Sequence, residues 1–513
     1  LAVFCSRILG LVREQVLANF FGAGLAMDAF VVAFRIPNLL RDLFAEGALS
    51  AAFVAVFTDS QQRRGPAATW RLANNVLTTL TLLLGGLAVA GIFSSSSLVS
   101  LMAPDFSLVP GKTALTVVMT QIMFPFLPLV SLAAVVMGIL NTQGKFFLPA
   151  MASTFFNLGS ITTGVALAFI LPAYGWQPII GMAIGTLLGG VLQLAVQLPS
   201  LWQVGYRFHW VIDWRDEDLR RVFWLMTPAV FGLSATQINI FINTFFASSC
   251  AEGSVAWLNY AFRFLQFPIG VFGVAISIAA MPVVSRYAAQ RDLAGLKAAY
   301  TSALTMSFLI SIPSSVGLAI LAEPIIALIF QHGRFTAFDT TQTAQALVFY
   351  TIGLFAYSGV KVLVPVFYAL NNPKYPVMGS FLAVGTNFLL VVLTLTTLQH
   401  RAIALATSLS MTLNFGFLSI LLYRLVQGYP LGRLLTSLAK ICLAAGGMGI
   451  VVHLQAKALH TALQADLFSR LAALLTVIIS GLLVYAVGIH LLKIPEFAVL
   501  TEKLRQRLGR KLP

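Results

Sequence analysis

Charge is what this sequence has least of. Only 10% of its 513 residues are Asp, Glu, Lys or Arg, whereas soluble domains carry about 25%. A chain this long can bury a large core, but the shell around that core must still be polar, and too little polar material is present to build one. With 58% hydrophobic residues and a mean hydropathy of +0.89, the composition excludes a soluble globular protein. It points to an all-α polytopic membrane protein. Acids are the scarcest charge, 17 Asp and Glu against 32 Lys and Arg. In a soluble protein the resulting +15 would suggest nucleic acid, but here the basic residues punctuate apolar runs instead of forming a dense stripe. No nucleic-acid partner is expected. Cytoplasmic loop bias and contacts with anionic phospholipids account for the excess.

Cysteine is nearly absent. Cys5, Cys250 and Cys442 are far apart and lack ligand spacing, which excludes a disulfide framework and a zinc site. The six histidines are scattered, mostly near span ends. No G-x-S-x-G, H-E-x-x-H or Cys-pair motif occurs. The Gly-rich runs GTLLGG (185–190) and AAGGMGI (444–450) lack the Lys-Ser/Thr of a phosphate loop and read as close helix packing. Chemistry for making or breaking covalent bonds is missing, so the expectation is a non-enzyme with no cofactor and no resident metal. The sequence begins at Leu1 without Met and shows no cleavable signal, so residues are expected to precede it.

What is present is a series of apolar runs long enough to span a bilayer, each needing about 20 residues. Breaks at charge clusters and Gly/Pro/Asn turns predict spans at 2–22, 28–57, 72–94, 113–140, 147–171, 177–199, 222–246, 254–282, 299–322, 341–370, 376–398, 401–424, 434–454 and 470–492. With a cytoplasmic N-terminus, 21 of the 32 Lys and Arg fall inside, five outside and six within spans. That split obeys the positive-inside rule for fourteen spans with both termini cytoplasmic.

Segment 200–221, SLWQVGYRFHWVIDWRDEDLRR, is the longest cytoplasmic connection, and its Trp, Tyr and Arg content suits a ribbon or short helix at the headgroup level. It separates two similar halves. FFGAGLAMDAFVVAFR (20–35) and FFASSCAEGSVAWLNYAFR (245–263) each run from Phe-Phe through a small-residue turn holding an acid to Ala-Phe-Arg. Internal repeats of this kind recur in secondary transporters whose two bundles rock about a central site. The expected organisation is a six-span lobe at 1–199, an amphipathic linker at 200–221, a second six-span lobe at 222–424, and two further spans with a basic tail at 425–513. The outside segment 323–340 reads either as a lid-like re-entrant loop or as a plain solvated turn.

Arg7, Arg13, Arg35, Arg41, Arg263 and Lys361 lie within predicted spans. Even mild insertion scales charge about 2.5–3.5 kcal/mol for such a residue at mid-helix, so these side chains should face a hydrated cavity. Asp28 and Arg35, seven apart, share a helix face. Pro37 cannot donate to the carbonyl four residues back, so a kink there would let Arg35 and Arg41 point into one cavity; Pro268 follows Arg263 in the second half. Several arginines with few acids make a positive cavity, and guanidinium forks match phosphate oxygens at any physiological pH. Asp28, Asp42 and Glu46 are titratable candidates by position only. The alternative is that the arginines pair with acids and carbonyls to lock helices together, a role for which four or more excess positives are poorly suited.

The blocks SRILGLVRE, FGAGLAMDAFVVAFRIPNLLRDLFAEGALSAAFVAVF, GSVAWLNYAFRFLQFPIGVFGVAI and FQHGRFTAFDT resemble the MurJ/MviN family, the lipid II flippases of bacterial peptidoglycan synthesis. That family lies in the multidrug/oligosaccharidyl-lipid/polysaccharide exporter (MOP) superfamily. The resemblance implies a MATE-like fold of two six-helix lobes plus a C-terminal helix pair. It also implies a central cationic cavity that moves the lipid II headgroup from the inner to the outer leaflet of the cytoplasmic membrane by alternating access. By motif position Arg7, Arg13 and Arg41 match the family's first-lobe arginines, Asp28 its acid, and Arg263 its arginine in the eighth span. Gln266 stands where the family carries Glu, which puts any Arg–Glu switch in doubt. The family's sodium site would meet only the neutral Gln237, Asn239 and Asn243 here. Membrane potential is the expected driver, the expected state a monomer, and cell-wall synthases the expected neighbours. A multidrug exporter or an exporter of another polyprenyl-linked oligosaccharide would share the architecture, but a carrier of organic cations should line its cavity with acids.

Overall fold

The computed structural model describes residues 2–44, 48–494 and 496–497, and among them every regular element is helical. Glu46 and the basic residues from Lys503 onward lie outside the described residues. The chain divides into two compact units, Leu1–Ala256 with His332–Phe335, and Trp257–Gln331 with Thr336–Pro513.

Unit 1 contains α1 (Ala2–Phe21), α2 (Leu25–Phe44), α3 (Ala48–Arg63), α4 (Gly65–Phe93), α5 (Ser95–Met102), α6 (Lys112–Met123), α7 (Phe126–Thr142), α8 (Phe147–Ile170), α9 (Ile179–Ala195), α10 (Leu198–Gln203), α11 (Glu217–Ser248) and the first residues of α12 (Ser254–Pro268). Its tightest pairing is α8 on α9. A Cβ at Gly181 would lie 2.6 Å from the Ala168 nitrogen, and one at Gly185 2.7 Å from the Gly164 Cα. Only hydrogen at these positions lets two backbones approach so closely, the usual use of small residues between helices in lipid. The GTLLGG run therefore packs as read. In AAGGMGI only Gly449 does so, facing Val316, while Gly446 and Gly447 face open space.

The connection after α9 is short helix α10 followed by an extended strap at 206–213. Side chains of α4 hold its backbone. Asn75 donates to the Asp213 carbonyl at 2.9 Å and accepts from the Asp213 N–H at 3.0 Å, a reciprocal pair like a rung of a β-ladder. Asn74 accepts from the Tyr206 hydroxyl at 2.6 Å and from the His209 N–H at 3.0 Å. Phe208, Trp210, Ile212 and Trp214 face outward, all well exposed. Burial pushes the Tyr206 hydroxyl pKa well up. Asp216 caps α11 by accepting from the Asp218 and Leu219 N–H groups. At the same end, Asp59 joins Arg63 at 2.7 Å and Arg221 at 2.5 Å, and the Arg221 contact holds its carboxyl below the usual range.

Unit 2 contains the rest of α12, a π-helical turn Ile269–Gly273, α13 (Val274–Ala289), α14 (Leu293–Ile320), α15 (Ala322–Phe330), α16 (Ala337–Thr351), α17 (Leu354–Ala369), α18 (Lys374–Leu398), α19 (His400–Leu425), α20 (Leu431–Ala458), α21 (His460–Gln464) and α22 (Leu467–Leu491). Gln399, at φ 52°, makes the sharp α18–α19 turn. One apolar core joins Leu304, Leu363, Phe367, Leu418, Ile441, Val477 and Ile489 from α14, α17, α19, α20 and α22. Tyr485 of α22 donates to the Leu309 carbonyl at 2.7 Å within it.

Eleven helices among the described residues are long and apolar enough to cross a membrane, or twelve when α16 and α17, bent by 45° at their junction, count as one. The fourteen spans read from the sequence include two more: 2–22, which is α1, and 28–57, which falls on α2 and the larger part of a separate helix, α3. Arg7, Arg13 and Glu14 in the first, and Asp28, Arg35, Arg41 and Asp42 in the second, are what make them less apolar than the rest.

Candidate functional site

The charges of α1 and α2 are organised by phenylalanines. The Arg13 guanidinium lies over the Phe156 ring of α8 at 5.4 Å, and that of Arg41 over the Phe126 ring of α7 at 6.0 Å. Phe126 and Phe156 are themselves neighbours at 5.5 Å, and Phe34 of α2 joins Phe126 at 5.8 Å. The two arginines, 28 positions apart in sequence, thus meet two adjoining rings. A ring face attracts a cation through its quadrupole, worth about 0.5–2 kcal/mol depending on desolvation. Such a contact uses none of the guanidinium N–H groups and leaves them for oxygen acceptors.

Each edge meets a carboxylate from the adjacent residue. Arg13 bonds Glu14 at 3.0 Å. Arg41 presents Nη2 at 2.8 Å and Nε at 3.2 Å to one Asp42 oxygen. The Arg13 and Arg41 side chains keep 13% and 19% exposure, so both are partly desolvated yet reachable.

Arg35 is half-buried and donates at 2.6 Å to the hydroxyl of Thr244 on α11, which in turn donates to the Ile240 carbonyl. Asp28 reaches the turn that follows α11. Its carboxylate accepts from the Gly253 and Ala256 N–H groups at 2.8 and 2.9 Å, satisfying donors at the start of α12, and bonds the Lys112 ammonium at 2.8 Å. Lys112 also lies 4.1 Å from the Phe106 ring centroid. Asp28 and Arg35 therefore project to the same side of α2, whereas Arg13 and Arg41 gather at the phenylalanines. Arg7 is exposed on α1.

Arg263 and Gln266 are both exposed on α12 in unit 2. Pro37 is buried inside α2, whose helix continues through it to Phe44, while Pro268 is followed directly by the π-helical turn. Gln237, Asn239 and Asn243 all lie on α11. Among the described residues no group of three or more His, Cys, Asp or Glu is placed to hold a metal ion. Sequence reasoning did not single out Phe126, Phe156, Thr244 or the role of Lys112. Nothing local marks them: each meets its charged partner across a long stretch of chain, and Lys112 reads as an ordinary outside-loop residue.

The family described as lipid II flippase MurJ matches residues 17–472. The chain is 33% identical over 518 residues to a probable lipid II flippase MurJ of Haemophilus influenzae, covering 97% of this chain and 99% of that protein. It is 38% identical over 376 residues to the lipid II flippase MurJ of Burkholderia cenocepacia, covering 72% of each. Among solved structures it is similar to a lipid II flippase MurJ in an inward closed conformation, with a TM-score of 0.78, 27% identity, and 95% and 96% of the two chains covered. An inward-facing multidrug resistance MATE family transporter of the MOP superfamily aligns with a TM-score of 0.68 at 16% identity, over 82% of this chain and 96% of that one, a likeness of fold alone.

Proposed function

The chain belongs to the MurJ family of lipid II flippases, and on that premise we propose that it carries lipid II from the inner to the outer leaflet by alternating access. It is a multi-pass protein of the bacterial inner membrane and a transporter, not an enzyme. The observation that carries the reading is the pair Arg13 and Arg41 on adjoining phenylalanine rings. Two guanidinium forks beside adjoining rings, each already bonded to a carboxylate oxygen, suit the two phosphates of a pyrophosphate. Arg7, Arg35, Arg263 and Gln266 complete the path of the headgroup in this proposal, and Asp28, buried against Lys112 and the start of α12, braces α2 beside it. Arginines in place of acids disfavour an exporter of organic cations.

The moving bodies are proposed as 1–199 and 222–424, joined by 200–221, with Pro37 and Pro268 as the points where helices give; α11, counted with the second body, is bonded here to α2 and α3 and would part from them in the motion. Membrane potential is the proposed driver, since moving one charge through it is worth about 2.3 kcal/mol per 100 mV. The outward row Phe208, Trp210, Ile212 and Trp214, flanked by Arg207 and Arg215, supports a strap resting among anionic phospholipid headgroups on the cytoplasmic side, with both termini on that side. The protein works in this account as a monomer beside the cell-wall synthases.

The test is supply of this chain to cells depleted of their own flippase, with leaflet-resolved measurement of lipid II. Restored growth together with lipid II in the outer leaflet is expected. Export of another polyprenyl-linked oligosaccharide without lipid II movement would overturn the reading.

A further inference from the structure

We propose that Asp42 is an internal counter-anion of the arginine site, occupying the Arg41 fork until a substrate phosphate displaces it. The inference rests on the reading of Arg13 and Arg41 as the headgroup site. Successive residues of a helix point about 100° apart and do not normally face one another, yet Asp42 Oδ1 takes both Nε and Nη2 of Arg41. That is the edge a phosphate would use. The second oxygen, Oδ2, accepts from Asn38 Nδ2 at 3.3 Å, one turn earlier, so the helix itself orients the carboxylate. Asp42 keeps 24% of its side chain exposed, which gives the released carboxylate access to water.

Exchange of one anionic oxygen for another leaves neither Nε nor Nη2 of Arg41 bare at either end of the process, and the Phe126 ring stays beside the guanidinium. The same arrangement makes a filter. A neutral headgroup cannot displace a carboxylate, and a singly charged one does so poorly, whereas a pyrophosphate brings more charge and more oxygens. The Arg13–Glu14 pair has the same adjacency, but the Glu14 side chain is only 5% exposed, and it acts as the fixed partner of the two.

The test is binding of farnesyl pyrophosphate and farnesyl monophosphate to the purified full chain, at two salt concentrations, with thermal midpoints recorded alongside. Asp42→Asn is expected to tighten pyrophosphate binding about two- to fivefold, the scale of one partly exposed ion pair. It should also narrow the preference over monophosphate, and both effects should shrink at high salt. Asn38→Ala frees the carboxylate without removing it and is expected to tighten binding by a smaller factor, which keeps the proposal testable if Asp42→Asn does not fold. Unchanged or weaker binding in folded variants overturns the counter-anion role. Arg41→Ala, run in parallel, separates the two levels. Its loss of binding with Asp42→Asn unchanged overturns only the counter-anion, whereas wild-type binding by Arg41→Ala overturns the site itself.

Discussion

Replacing Lys112 by Met removes the ammonium that neutralises Asp28 while keeping a chain of similar length. The two side chains are exposed by only 4% and 2%, so the carboxylate would be left buried with the Gly253 and Ala256 N–H groups as its partners. Removing one member of a buried ion pair costs about 3–5 kcal/mol, and the two remaining donors place Lys112→Met near the lower end of that range. Asp28→Asn in the same chain removes the stranded charge. Its amide oxygen can still accept one N–H, leaving one donor at the start of α12 unsatisfied for about 1–3 kcal/mol. The double variant should therefore be the more stable of the two. Thermal midpoints of detergent-purified protein, read from size-exclusion retention after heating, measure this directly, with membrane abundance as a second reading. A Lys112→Met midpoint equal to wild type, or a double variant less stable than Lys112→Met, would refute the reasoning.

Arg13→Ala and Arg41→Ala are each expected to abolish growth complementation at near-normal membrane abundance, because a lost guanidinium–phosphate contact costs about 2 kcal/mol or more. Lysine should substitute only in part, since it keeps the charge and loses the fork; full activity with Ala at both positions contradicts the anion site. Phe126→Leu keeps an apolar filler but removes the ring face under Arg41, and headgroup affinity should fall by about 0.5–2 kcal/mol in a variant that still folds. Wild-type affinity there would mean the ring only packs. Because Arg221 lowers the Asp59 pKa, their bridge is fully present above the ordinary aspartate value of about 3.9 and is lost only as pH falls through the depressed one. Hydrogen exchange at the start of α11, corrected for the intrinsic rate, should thus show constant protection from pH 7 to 5 and loosen below about 4; loosening that begins above pH 5 contradicts this.

Helical periodicity and charge placement made much of this molecule legible in advance. The runs that became α4, α8, α9, α18, α19, α20 and α22 are long, apolar and bounded by turn residues, so their existence follows from composition alone. Arg13, Arg35 and Arg41 stood out because charge in an apolar run is costly wherever it occurs. Helical phase also put Asp28 and Arg35 on one side of α2, and both meet α11 or the turn after it. Phase works only within a helix, however. It cannot tell that Phe126 and Phe156, on two other helices, meet under the arginines, because a phenylalanine in an apolar run looks the same whether it faces lipid, core or guanidinium. Lys112 was illegible for a related reason: a lysine after Pro-Gly reads as a solvated turn residue, and only the fold brings it to Asp28, 84 positions away.

The central claim is that Arg41 and its aromatic-backed neighbour Arg13 bind the pyrophosphate during transfer between leaflets. The most direct measurement is the rate at which purified protein in vesicles moves lipid II from one leaflet to the other, compared between wild type and Arg41→Ala at equal incorporation. The account predicts protein-dependent movement by wild type and a rate at the protein-free level for the variant. Equal rates for the two proteins would contradict it.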